Sequence, residues 1–140
     1  MALKLPDEIV EAVRQRAQHR CEYCQTSEFL SGQYCQVDHI MPRALGGKST
    51  LGNLCLACVD CNRFKLTLIE SIDPQTQVLV PLFNPRTQAW YEHFEWSADG
   101  IRVTGLTAVG RVTIDALKIN RPLVVAARSA WVSIGRHPPE

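Results

Sequence analysis

The sequence predicts an α+β fold pinned by its cysteines, and three observations predict it. Apolar residues recur at helical spacing near the start of the chain and twice near its end. Short runs of strand-favouring residues, broken by Pro, Gly, Asn and Asp, occupy much of the remainder. Two Cys-x-x-Cys pairs, Cys21 with Cys24 and Cys58 with Cys61, are separated enough to tie distant segments together.

With 140 residues, 46% hydrophobic and 21% charged, the chain has material for a hydrophobic core and lies outside the composition of disordered proteins. No apolar run reaches the roughly 18 to 20 residues a membrane helix requires. The opening MALKLPDEIVEAV meets acids and a proline too early for a secretory core, so the expected location is cytoplasmic. A net charge of +1 gives no global attraction to nucleic acid, and any such partner would be held locally.

Pro6, Asp7 and Glu8 mark a helix start, and Leu5, Ile9, Ala12, Val13 and Ala17 keep helical spacing to about Gln18. Tyr34 to Ile40 is strand-like. Pro42 and Gly46-Gly47 then impose an irregular loop to about Leu54. Val59 to Ile69 reads as a helix with Phe64, Leu68 and Ile69 on one face, ended by Asp73-Pro74. Beyond it, VLVPLF, EHFEW and IRVTGL alternate with turns at Asn84-Pro85 and Asp99-Gly100, a small meander or hairpin. Helices over about 108–119 and 123–134 close the chain. The expected division is 1–72 and 73–140, with the second part packed on the first as an extension.

Six cysteines without an export signal favour metal ligation over disulfides. Two Cys-x-x-Cys pairs supply four thiolates, and a tetrahedral zinc closed by four protein ligands is structural, because no position remains for a substrate. Cys55, Cys58 and Cys61 offer two overlapping registers, of which Cys58 with Cys61 is preferred because Asn62 follows directly. Cys35 and Cys55 then read as small core residues. His19 is a weaker ligand candidate than a surface histidine at a helix end.

Arg20-CEYC, then VDHIMPRALGG, then NLCLACVDCNRFK, resembles the zinc-containing branch of the HNH endonucleases, over about residues 14 to 66. The resemblance implies a ββα-metal core in which His39 is the first H, Asn53 the N, and Asn62 takes the place of the last H. It implies that Asn53 braces the loop so that the histidine faces the scissile phosphate. The chemistry suits these residue types: a neutral imidazole takes a proton from water near pH 7, which makes His39 the general base. Asp38 and Asn62 offer a hard divalent ion, Mg²⁺ or Mn²⁺, a carboxylate and an amide oxygen while leaving most of its coordination open. Because adjacent strand residues point to opposite faces, the strand must end, bulge or twist at Asp38-His39, and Pro42 makes a strand end there reasonable.

Arg43, Lys48, Arg63 and Lys65 are candidates for neutralising phosphates without reading bases. Lys65, one turn beyond Asn62, is the foremost of them. Trp90, Phe94 and Trp96 read as packing aromatics, and Arg86 and His93 as accessory candidates for the phosphate or leaving group, against a purely structural niche for the histidine. The implied activity is metal-dependent hydrolysis of double-stranded DNA, by nicking as a monomer or by cutting both strands as a homodimer. The rival is a zinc-stapled nucleic-acid-binding module without hydrolysis. A dithiol redox role fits two separated pairs less well.

Overall fold

The computed structural model describes residues 4–140 and divides into two units, Met1–Ile69 and Glu70–Glu140. The first three residues, part of the stretch read above for an export signal, lie outside the described residues. No helix among the described residues is long and apolar enough to cross a membrane.

In the first unit, helix α1 (Asp7–Arg16) begins after Pro6, with Asp7 and Glu8 in its first turn and Arg14 and Arg16 in its last, each sign matching the helix dipole. Gln18 and His19 take positive φ values of 56° and 57°, which swing the chain into the first cysteine pair. Helix α2 (Glu28–Ser31) is capped by the Ser27 hydroxyl, which accepts from Phe29 N and Leu30 N at 3.1 and 3.3 Å. Glu28 is buried at the junction. Its carboxylate accepts from Arg14, from His19 Nδ1 at 2.9 Å and from Cys35 N at 2.7 Å, joining α1, α2 and the chain leading into the next strand.

Strands β1 (Gln36–His39) and β2 (Leu54–Ala57) pair antiparallel, with Asp38 opposite Cys55 and His39 opposite Leu54. All four residues of β2 are buried, so LCLA carries no alternation to announce a strand between the loop and the next helix.

Helix α3 (Val59–Lys65) is shorter than expected. It stops at Leu66, whose φ of 48° breaks the helix, and the anticipated apolar face fails: Leu68 and Ile69 are 40% and 37% exposed. The residues α3 buries are Cys61 and Lys65, so its inward face is set by a thiol and a charge.

The second unit contains two hairpins, where one small meander or hairpin was expected. Strand β3 (Glu70–Ile72) pairs with β4 (Leu79–Pro81) around Asp73, which accepts from Thr76 Oγ1 at 2.8 Å and from the Arg111 guanidinium at 2.9 and 3.1 Å. Asp73-Pro74 is thus a hairpin turn where a helix stop was expected. Helix α4 (Trp90–His93) leads into β5 (Phe94–Trp96), which pairs with β6 (Val103–Gly105) across the turn at Asp99-Gly100. Helix α5 (Ala108–Leu117), capped by Thr107, packs on β3, β4 and β6. Helix α6 (Pro122–Ser133) starts with proline in its first turn. Phe83, Phe94, Val103, Val112, Leu117 and Ile119 form the core. Trp90 packs against both Phe94 and Trp96, with ring centroids 5.0 and 5.4 Å apart. Arg128 is fully buried, donating to Ile101 O and Ile119 O at 3.1 and 2.9 Å, with its guanidinium over Trp96.

Candidate functional site

Cys21, Cys24, Cys58 and Cys61 bring their sulfurs within 4.8 Å of one another, and Cys24 and Cys58 lie 3.6 Å apart. Zinc–thiolate bonds of about 2.3 Å require tetrahedral sulfurs about 3.8 Å apart, so the donor set and its spacing fit zinc. Each pair is folded by a backbone N–H on the first thiol: Cys24 N to Cys21 Sγ and Cys61 N to Cys58 Sγ, both 3.4 Å. The ion would tie the turn after α1 to the start of α3. Cys55 is excluded from the cluster, since its Sγ lies 3.6 Å from the Tyr23 hydroxyl in the core. Burial pushes both the Cys55 and Cys35 thiols up to about 12, as expected of inert core cysteines. His19 is engaged by Glu28 and Phe29 and is not among the clustered ligands.

Across the hairpin, the loop between β1 and β2 is closed by one side chain. Asn53 Oδ1 accepts from Met41 N at 2.8 Å, while Nδ2 donates to Met41 O at 3.0 Å and Lys48 O at 2.9 Å. Gly47 is required by the same closure, because a Cβ there would lie 1.7 Å from Met41 O and 2.9 Å from Asn53 Nδ2. Gly46 makes the preceding turn at φ 92°. The loop carries Ser49 to His39, with Oγ 2.8 Å from Nε2. Burial lowers the His39 pKa, the charges of Arg43 and Lys65 add to that, and Asp38 opposes it. A depressed value favours the neutral ring, the form able to accept a proton.

Asp38 turns to α3. Its Oδ2 is 3.0 Å from Lys65 Nζ, and Lys65, only 2% exposed, also donates to His39 O at 3.1 Å. The ion pair lacks good hydrogen-bond geometry, leaving buried Oδ2 without a hydrogen-bond donor. Burial raises the Asp38 pKa against the pull of Lys65. Gln36, two residues earlier and therefore on the same strand face, accepts from Asn62 Nδ2 at 2.7 Å. That bond fixes the Asn62 amide and leaves its oxygen unbonded among the described residues. The Asp38 carboxylate, paired with Lys65, and the Asn62 amide oxygen are donors of the type a hard oxygen-preferring ion takes.

The expected phosphate-binding residues are distributed differently. Lys65 is a buried counter-ion of Asp38, because a carboxylate removed from water needs an opposing charge, so it is not an exposed phosphate contact. Arg63 is exposed, pairs with Asp60 at 3.2 Å and lies over Phe64. Arg43 and Lys48 are exposed on the loop. In the second unit, Arg86 N is held by Asn84 Oδ1 at 2.9 Å, and His93 Nδ1 meets Thr107 Oγ1 at 2.7 Å beside Phe83. Sequence reasoning missed two contacts of the site. Gln36 was accessible from the two-residue strand period, whereas nothing in the sequence connects Ser49 to His39 across the loop.

A buried-strand hairpin, the helix that follows it and a four-thiol cluster define a small metal-binding unit of the ββα kind. The HNH endonuclease family model matches residues 21–66, from the first cysteine to the residue after α3. The similarity is to a family of nucleases and is confined to that segment. No curated protein and no solved structure matches the chain.

Proposed function

We propose that the chain is a metal-dependent endonuclease that hydrolyses phosphodiester bonds of double-stranded DNA, with His39 as general base. The observations that support this reading are an imidazole held to the loop through Ser49 and, on the strand face that carries Asp38, an Asn62 amide held by Gln36. His39 takes a proton from water, and the resulting hydroxide forms a bond to phosphorus. The bond from phosphorus to the 3′-oxygen breaks, and that oxygen takes a proton from solvent. Asp38 and Asn62 would hold Mg²⁺ or Mn²⁺, which supplies charge stabilisation for the phosphoryl and leaving oxygens when bound. Asn53 maintains the loop geometry. Zinc on the four cysteines holds the fold and takes no part in the chemistry. Arg43, Lys48 and Arg63 contribute phosphate contacts with little sequence preference and strong salt dependence.

One observation favours a second reading, a nucleic-acid-binding module without hydrolysis: Lys65 already neutralises the carboxylate that would bind the catalytic ion. Supercoiled plasmid incubated with the zinc-loaded protein and Mg²⁺ or Mn²⁺ separates the two. The nuclease converts it to nicked or linear forms, chelation of the catalytic ion stops the reaction, and His39→Ala abolishes it. Equal nicking by the His39 variant would overturn the mechanism. Binding without cleavage on any DNA would establish the second reading. Linear product at low turnover would indicate a homodimer, and nicked circles a monomer.

A further inference from the structure

An imidazole acts as a base only through a nitrogen without a proton, and in the neutral ring the partner of one nitrogen dictates what the other can do. His39 Nε2 is engaged by Ser49 Oγ at 2.8 Å, whereas Nδ1 has no hydrogen-bond partner among the described residues. Ser49 is itself held in place. The carbonyl of the preceding residue, Lys48, accepts from Asn53 Nδ2 at 2.9 Å, and Gly47 before it lies too close to Met41 O to admit any side chain. The same asparagine holds Met41, two residues beyond His39, by both its N–H and its carbonyl. Asn53 therefore ties the Ser49 side of the loop to the His39 side, and the hydroxyl bridges the remaining gap.

We propose that Ser49 is the positioning residue for His39: its Oγ accepts the Nε2–H, stops the ring from turning, and leaves Nδ1 as the nitrogen that takes the proton of the attacking water. The tautomer and the part played by Nδ1 rest on the hydrolytic reading, whereas the hydrogen bond does not. The opposite polarity, with the serine hydroxyl donating to Nε2, would place the proton on Nδ1 and disable it as a base. As the acceptor of Nε2–H, Ser49 fixes the tautomer as well as the ring orientation, the task a partner on the second nitrogen performs at many histidine sites.

The test uses the zinc-loaded full chain labelled with ¹⁵N, with imidazole proton–nitrogen correlation spectra recorded while His39 is neutral. The wild-type ring is expected in the Nε2–H form. Ser49→Ala should give a mixture of tautomers, and Ser49→Thr, which keeps the hydroxyl, should restore the single form. In plasmid cleavage at saturating DNA, Ser49→Ala should slow turnover about 10- to 100-fold, the usual range for losing such a partner, with zinc content and DNA affinity unchanged. A wild-type ring carrying its proton on Nδ1 would overturn the proposal, as would an alanine variant with unaltered tautomer and rate. A chain that never cuts, but whose Nε2–H form is lost in Ser49→Ala, would overturn the hydrolytic reading while upholding Ser49 as the residue that positions the ring.

Discussion

The two units bury different kinds of matter. Among the described residues, half of the buried apolar side chains of the first unit are cysteines: Cys21, Cys24, Cys35, Cys55 and Cys61 lie beside Val13, Tyr23, Leu54, Leu56 and Ala57. The second unit has a core of Phe83, Phe94, Val103, Val112, Leu117 and Ile119, with no cysteine. The four-thiol cluster would let one unit depend on coordination and a few polar contacts, whereas the other depends on apolar area. A metal-held unit needs little hydrophobic surface, which leaves its helix and strand faces open for charged and hydrogen-bonding groups.

The largest expected effect follows from that contrast. All three tryptophans, Trp90, Trp96 and Trp131, lie in the second unit, so tryptophan fluorescence follows that unit alone, while thiol reactivity and zinc release follow the first. Removing zinc with a strong chelator, or replacing Cys58 with Ser, should expose the thiols and unfold the first unit, because structural zinc supplies roughly 10 kcal/mol or more in small sites. Tryptophan emission should remain native. Simultaneous loss of both signals would break the comparison.

Next in size is the buried charge pair. Lys65→Met removes the ammonium facing Asp38 and should cost the first unit about 3–5 kcal/mol, as expected when one partner of a buried pair is left alone. Adding Asp38→Leu should recover most of that loss. Thiol protection during denaturation reads both, and a Lys65 variant as stable as the parent would mean that the pair is solvated.

Asn53→Ala comes third. It leaves Met41 N, Met41 O and Lys48 O without their partners, and at about 1 kcal/mol for each hydrogen bond the first unit should lose about 2–3 kcal/mol. The damage should be local, with zinc retained and amide exchange accelerated over residues 40–53. Exchange that stayed slow there would show that the loop has other support.

The same contrast explains what was legible beforehand. Metal ligation requires fixed residue types at fixed spacing, so the cysteine cluster and its Cys58–Cys61 register were readable in the sequence. The closing role of Asn53 followed from a resemblance, and its three hydrogen bonds supply the physical cause. Burial on both faces removed the alternation from LCLA, so β2 followed only from the resemblance to a ββα core and not from the residue pattern. Lys65 was misjudged because a lysine on a short helix is normally solvated, and its partner Asp38 lies 27 positions earlier in the chain. Asp73-Pro74 looked like a helix stop because Asp and Pro punctuate helices and hairpins alike. The β3–β4 pairing and the Arg111 guanidinium, far along the chain, distinguish the two.

That arginine carries the smallest of the expected effects, and it belongs to the second unit alone. The Asp73 carboxyl is held well below the usual carboxylate range, first by its hydrogen bonds from Arg111 and then by those from Thr76 and Gln75. Unfolded, an aspartate titrates near pH 3.9, so its folded value is the lower of the two. Its stabilising contribution is therefore complete above about pH 4 and is lost as pH falls through the depressed folded value. The tryptophan-monitored stability of the second unit should decline with acid below about pH 4, and Asp73→Asn should flatten that decline while lowering stability at neutral pH. In the first unit acid acts by another route, protonating the thiolates and releasing zinc, which Asp73→Asn should leave untouched. If the substitution moved the zinc-release curve as well, the two units would have to be treated as thermodynamically coupled.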